Sequence, residues 1–202
     1  MTGDQATLAA YDGAAPEYAA EWEDEQDAPD DLYAVLQRFF EPGSVFDIGC
    51  GSGRDTAWLA EHGWPATGFD ASSGLLDEAR RRHPDIEFRQ AALPALAELG
   101  SDRASNVLCE TVLMHLPAAE IAWAARRILE LVEPGGVLYL SWRVTTGEDV
   151  RDPAGRLYSA FPASLVLDAL ADGTVLLEEE QRSLSSGRTV HRVVVRRSGS
   201  MR

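Results

Sequence analysis

Three glycines at alternate positions, Gly49, Gly51 and Gly53, follow directly on the apolar run Val45-Phe46-Asp47-Ile48. Such spacing lets a chain turn tightly and bring its backbone up to a ligand with no Cβ in the way. A helical pattern starts at Arg54, so the loop, with Cys50 and Ser52 between its glycines, also presents helix N-terminal amides to whatever lies above it. Asp70 stands 23 residues beyond Asp47, at the end of the next apolar run and just before Ala71. A carboxylate at the tip of a second strand is placed to accept hydrogen bonds from both hydroxyls of a ribose. Its other reading is a cap for the following helix, although Ser72 and Ser73 stand nearer to that helix start.

Two further residues could move protons. A fourth apolar run ends in Cys109-Glu110, and His115 follows within Thr111-Val112-Leu113-Met114-His115-Leu116-Pro117. Histidine suits proton transfer near neutral pH, whereas its plain role is to bond a backbone carbonyl and fix a loop. Glu110 could position an amine or hydroxyl, or salt-bridge an arginine. The stretch 142–162 is rich in Gly and Pro and carries Arg143, Arg151, Arg156 and Tyr158. A long loop at this place in a compact domain is commonly functional, and Arg143, Arg156 and Tyr158 are the candidate substrate contacts. Their charge suits an anionic ligand, or is simply surface charge. His62 and His83 end helices, where partial positive charge is favoured, and His191 lies mid-strand, so no metal site is expected.

These residues need a frame that brings strand ends together. Short β-type runs occur at 44–48, 66–69, 86–90, 106–109 and 137–142, separated by helical patterns at 54–61, 72–82 and 118–131 and a short turn at 94–99. Alternating strand and helix implies a parallel sheet covered on both faces. After a helix at 163–171, runs at 174–181 and 188–197 are joined by Ser185-Ser186-Gly187, which reads as a hairpin and makes one of the last strands antiparallel. The expected fold is α/β, Rossmann-like and doubly wound, with a seven-stranded, mostly parallel sheet and an antiparallel C-terminal hairpin strand. Residues 1–202 read as one domain: an N-terminal helical lid over 1–40, a ligand-binding core over 44–142, and a substrate loop with the hairpin over 143–202.

Charge and composition narrow the chemistry. The net charge is −15, and residues 1–31 hold ten acidic side chains and no basic one. An acidic surface repels phosphate backbones, which makes nucleic acid a poor partner. All 18 basic residues are arginine. Without lysine there is no Walker-type phosphate site and no Schiff-base chemistry. No run of about 18 apolar residues suggests a membrane span. No secretory signal is visible, and the two cysteines, Cys50 and Cys109, form no framework, so a cytoplasmic location is expected.

The order Asp47, Gly49, Gly51, Gly53, with Asp70 closing the next strand, resembles the class I S-adenosylmethionine-dependent methyltransferases. Dinucleotide dehydrogenases instead set their third glycine where Arg54 stands. The resemblance runs from Tyr11 to Arg197, and the stretch 49–70 looks like the small-molecule branch that includes thiopurine- and tellurite-type enzymes. It implies S-adenosylmethionine as cofactor, S-adenosylhomocysteine as product, and a small-molecule acceptor methylated at O, N or S. Asp47 and residues 49–53 should meet the methionine portion, Asp70 and Ala71 the ribose, and the end of the third strand the adenine. There Ala91 replaces the family's acid, leaving Gln90 and the Ala92 amide to serve. Cys109 closes the fourth strand beside the cofactor. Tyr11 and Tyr18 match a Tyr-x6-Tyr segment that folds over the cofactor, or they pack on the sheet edge. His115 and Glu110 are the catalytic candidates. The Asn/Asp-Pro-Pro-aromatic sequence of nucleobase amine methylation is absent. Two other readings remain: a non-catalytic S-adenosylmethionine-binding protein, kept open by the missing acid, and an NAD(P)-dependent oxidoreductase, disfavoured by the glycine spacing and by the lack of a Tyr-x-x-x-Lys pair.

Overall fold

The computed structural model describes residues 3–199. The chain opens with helices α1 (Gln5–Gly13) and α2 (Ala15–Ala20), a π-helical turn (Glu21–Glu25) and α3 (Asp30–Phe39). Strands and helices then alternate: β1 (Val45–Ile48), α4 (Arg54–Glu61), β2 (Ala66–Asp70), α5 (Ser73–Arg82), β3 (Glu87–Gln90), β4 (Ala104–Cys109), α6 (Ala118–Glu130) and β5 (Val132–Arg143). The last third holds β6 (Val150–Arg151), β7 (Leu157–Tyr158), α7 (Ala163–Ala169), β8 (Gly173–Arg182) and β9 (Thr189–Arg197).

Seven strands form one sheet in the order β3-β2-β1-β4-β5-β9-β8. The first five are parallel, and β9 runs antiparallel to both β5 and β8. Side chains alternate across a strand, and β5 shows it plainly. Val137 and Tyr139 join the layer under α3 with Leu32, Val35 and Leu36. Leu138 and Leu140 join the opposite layer, where α6 buries Ile121, Ala124, Ala125 and Ile128. Burial on both faces is why β4 and β5 read as continuous apolar runs. The edge strand β8 carries Glu178, Glu179 and Glu180, and charge along an edge discourages pairing with other chains.

Three details differ from the sequence reading. β5 begins at Val132, five residues early, because Pro134-Gly135-Gly136 reads as a turn but lies within the strand. The stretch 142–162 is not plain loop: β6 and β7 pair as a small antiparallel sheet. The acidic leader adds a π-helical turn to its two short helices. Among the described residues, no helix is long and apolar enough to cross a membrane.

The strand order reverses at β1, which lies between β2 and β4. In open α/β sheets the crevice at such a switch point, outside the carboxyl ends of the strands, is where ligands bind. The glycine loop, Asp70 and Glu110 all leave the sheet at those ends.

Candidate active site

A crevice of about 470 Å³ opens at the switch point. Its floor is the turn after β1. Gly49 and Gly51 adopt φ of +78° and +57°, a region that favours glycine. Space demands glycine as well: a Cβ on Gly49 would lie 2.3 Å from Val112 Cγ2, and one on Gly51 2.8 Å from Trp22 Cζ3. The loop is therefore gripped between the turn after β4 and the leader.

Asp70 is fixed by two backbone donors. The Gly51 N–H donates to Oδ2 at 2.9 Å and the Ser72 N–H to Oδ1 at 2.8 Å. A carboxylate offers about four acceptor positions, so capacity for a ligand hydroxyl remains. Burial raises its pKa, and the backbone donors oppose the shift. Ser72 is the N-cap of α5, accepting the Leu75 N–H at 3.1 Å. Asp70 thus serves the glycine loop, not the helix cap. The buried Ser52 hydroxyl, also on the crevice, has no partner among the described residues. Leu75, Ala91, Leu93 and Leu96 give one wall an apolar surface, and Ala71 and Ala92 also line the crevice.

Five residues expected at the cofactor stand elsewhere. Asp47 is 3% exposed and accepts the Thr56 hydroxyl at 2.6 Å, tying β1 to α4 beneath the loop. Burial, reinforced by the charges of Asp55 and Asp70, pushes its pKa up to about 8. Gly53 is the N-cap of α4, packed close to Phe88 and His83. Cys109 is fully buried in the core under α6. Gln90, exposed on the outermost parallel strand, turns back to donate its amide to the Ala71 carbonyl at 2.9 Å. It braces the backbone next to Asp70 and does not line the crevice. Tyr18 packs behind the crevice against Tyr11 and Trp22, with ring centroids 5.0 and 5.4 Å away.

Burial separates the two proton-transfer candidates. His115 is bonded at both ring nitrogens: Nδ1 to the Leu157 carbonyl at 2.6 Å and Nε2 to the Tyr11 hydroxyl at 2.9 Å. A carbonyl only accepts, so Nδ1 carries the proton and Nε2 accepts from Tyr11. Burial lowers the pKa of His115 to about 4 and holds the Tyr11 phenol far above its usual range. The imidazole is therefore neutral. Glu110 is pushed the other way, up to about 7, again by burial. Ser141 sits beneath it, donating its hydroxyl to Glu110 Oε2 and accepting the Thr111 N–H at 3.0 Å. Thr111 holds φ at +52°, a strained conformation for a β-branched residue and of a kind that gathers at functional sites.

The leader and the 142–162 stretch meet over the crevice. Thr7 Oγ1 accepts the Leu157 N–H at 2.8 Å, and Asp4 pairs with Arg151 at 2.6 Å. The Arg156 guanidinium lies 5.3 Å from the Tyr11 ring centroid and 4.8 Å from that of Tyr18, and it pairs with Asp152 at 2.7 Å. Arg143 lies 4.7 Å from the Tyr158 centroid. Sequence reasoning placed Arg143, Arg156 and Tyr158 together but did not single out other residues that line the crevice, among them Thr111, Ser185 and Arg188. The last two had an available signal. Once β9 runs antiparallel to β5, its hairpin turn must sit at the carboxyl ends of the parallel strands.

Comparison with known proteins finds relatives of this fold and of part of this sequence. Residues 45–136 match the family model described as a methyltransferase domain. The chain carries this match over less than half of its length, from β1 into β5. It is 31% identical over 134 residues to a ubiquinone biosynthesis O-methyltransferase of Alkalilimnicola ehrlichii, covering 64% of this chain and 51% of that protein. The chain spans about half the length of the curated relatives it matches. Among solved structures, a 1,6-didemethyltoxoflavin-N1-methyltransferase of Burkholderia thailandensis, with S-adenosylhomocysteine bound, superposes with a TM-score of 0.69 at 24% identity, over 96% of this chain and 88% of that one. Magnesium protoporphyrin IX methyltransferase from Synechocystis gives a TM-score of 0.74 at 19% identity, over 96% and 98%.

Proposed function

We propose that this chain, acting as a single domain, transfers a methyl group from S-adenosylmethionine to a small-molecule acceptor. The observation that carries the reading is the glycine turn bonded through Gly51 to Asp70 at the switch point of the sheet. The donor set fits the cofactor. Asp70 has acceptor capacity for ribose hydroxyls, the Ser52 hydroxyl lacks a partner among the described residues, and the Ala91–Leu96 side offers an apolar wall for a base. When bound, S-adenosylmethionine supplies a methyl carbon already activated by a positive sulfur. The chain's task is then to hold the acceptor in near-attack geometry and exclude water. The curated relatives' O-methylation makes a hydroxyl the first acceptor to test. Glu110, ionising near pH 7, takes the proton from it, while His115 and Tyr11 hold the roof in place. The acidic surface disfavours nucleic acid as substrate. The free cysteines Cys50 and Cys109 agree with a cytoplasmic location.

Calorimetry tests this directly. S-adenosylmethionine and S-adenosylhomocysteine should bind, with NAD and NADP inert. Asp70→Ala should weaken that binding by about 1.5–3 kcal/mol, the range for hydrogen bonds to a charged group. Nicotinamide binding in the absence of any S-adenosylmethionine binding would overturn the reading.

A further inference from the structure

A second cavity of about 510 Å³ adjoins the crevice and shares Arg143, Arg156, Tyr158 and Arg188 with it. Those four residues form the partition between an inner and an outer chamber. They come from three separate elements: the end of β5, the β6–β7 unit and the C-terminal hairpin.

The three arginines are not equivalent. Arg156 is neutralised by Asp152 at 2.7 Å and is held among tyrosine rings. Among the described residues, neither Arg143 nor Arg188 takes part in an ion pair. Arg38, Arg103, Arg126, Arg182 and Arg197 also lack an ion pair among the described residues, but none of them lines either cavity. Arg54, Arg82, Arg151, Arg192 and Arg196 all have carboxylate partners. Arg143 is half-buried and lies over the Tyr158 ring, and it and the exposed Arg188 of the hairpin both line the two cavities.

We infer that Arg143 and Arg188 read a carboxylate on the acceptor, which sits in the outer chamber while the acceptor's nucleophile enters the inner crevice beside Glu110. Guanidinium groups bind carboxylates through paired, charge-assisted hydrogen bonds. A monoanion is favoured over a phosphate dianion because Asp4, Glu21 and Glu110 line the inner crevice and Asp152 the outer cavity, and these carboxyl groups oppose extra negative charge. The arrangement also separates recognition from chemistry. The inference rests on the methyltransferase reading for its inner chamber, while the outer chamber can be tested by binding alone.

The probes are 3,4-dihydroxybenzoate, its neutral amide 3,4-dihydroxybenzamide, and 3,4-dihydroxyphenyl phosphate. Each is titrated calorimetrically into wild type, Arg143→Gln and Arg188→Gln, and into the double variant, with and without saturating S-adenosylhomocysteine. The benzoate should bind about tenfold more tightly than the amide, as expected for charge-assisted hydrogen bonds. That preference should shrink in each single variant and vanish in the double one, while S-adenosylhomocysteine affinity stays unchanged. Equal binding of benzoate and amide, binding of neither, or a preference that survives in the double variant overturns the inference. Tighter binding of the phosphate than of the benzoate overturns the carboxylate assignment. Failure of wild type to bind S-adenosylhomocysteine strikes the methyltransferase reading instead, and the arms without it still decide the outer chamber.

Discussion

Glu110 and His115 stand five residues apart and both line the crevice, yet burial moves their proton affinities in opposite directions. Each loses water, and each is driven toward its neutral form. For histidine that form is reached by lowering the pKa, here to about 4, and for a carboxyl by raising it, here to about 7. The better-matched base near neutral pH is therefore the glutamate. Glu110→Gln should lower kcat by about 10²–10⁴-fold with cofactor affinity near normal, and the rise in rate through pH 7 should disappear. His115→Gln can still donate to the Leu157 carbonyl and accept from Tyr11, so its loss should be smaller and fall mainly on KM. Steady-state pH profiles of both variants check this, and a larger kcat fall for His115→Gln would reverse the assignment. The pair itself was legible in the sequence, because both follow a strand end. Their ranking was not, since it depends on the Leu157 carbonyl 42 residues away and on how completely each group is buried.

At the scale of elements, the leader packs over the crevice through two kinds of contact. One kind is ionic or polar: Asp24 to Arg82 at 3.2 Å, Glu23 to His83 at 3.0 Å, and Asp12 accepting the Ser72 hydroxyl at 2.6 Å. Pairs this close to solvent contribute about 0–1 kcal/mol each. The other kind is the aromatic group Tyr11, Tyr18 and Trp22, whose ring contacts add about 0.5–1.5 kcal/mol apiece beyond their buried area. Aromatic packing is the stronger attachment, and Trp22 also covers Gly51. Trp22→Ala should therefore weaken cofactor binding and expose the leader to proteolysis more than raising the salt to about 0.5 M does. Limited proteolysis with and without S-adenosylhomocysteine measures this. Greater sensitivity to salt than to the substitution would make the lid electrostatic. The spacing of Tyr11 and Tyr18 along the chain is enough to suggest a lid. Its landing place has no such signal, because Asp4 meets Arg151 across 147 residues of chain and only the fold brings them together.

For the whole molecule, the sheet was readable because strands buried on both faces leave uninterrupted apolar runs between helical patterns. The early start of β5 was hidden by Pro134-Gly135-Gly136, whose local turn preference is overridden by pairing of Val132 with Ala104. What composition alone could not reveal is that a chain with 33 acidic residues hides some of them unpaired by arginine. Asp47 keeps its proton up to about pH 8 in the folded state, against 3.8 for the unfolded group, and Glu110 up to about 7, against 4.5. As pH rises from about 4 the unfolded chain releases these protons first, so folding stability declines until the folded groups also ionise. His115 works the other way: its stabilising neutral form is favoured above about pH 6.5, and that contribution is lost as pH falls toward 4. The two trends oppose each other below pH 6.5, and only the carboxyl decline remains between about 6.5 and 8. The melting temperature should fall across that window, with each carboxyl contributing a slope of at most about 1.4 kcal/mol per pH unit. Asp47→Asn retains an oxygen to accept the Thr56 hydroxyl but cannot ionise, so it should flatten the alkaline decline without unfolding the turn. Differential scanning calorimetry of both proteins in this range decides the point. A wild-type melting temperature that holds level or climbs, or an Asn variant that declines just as steeply, would mean that Asp47 is ionised in the folded protein.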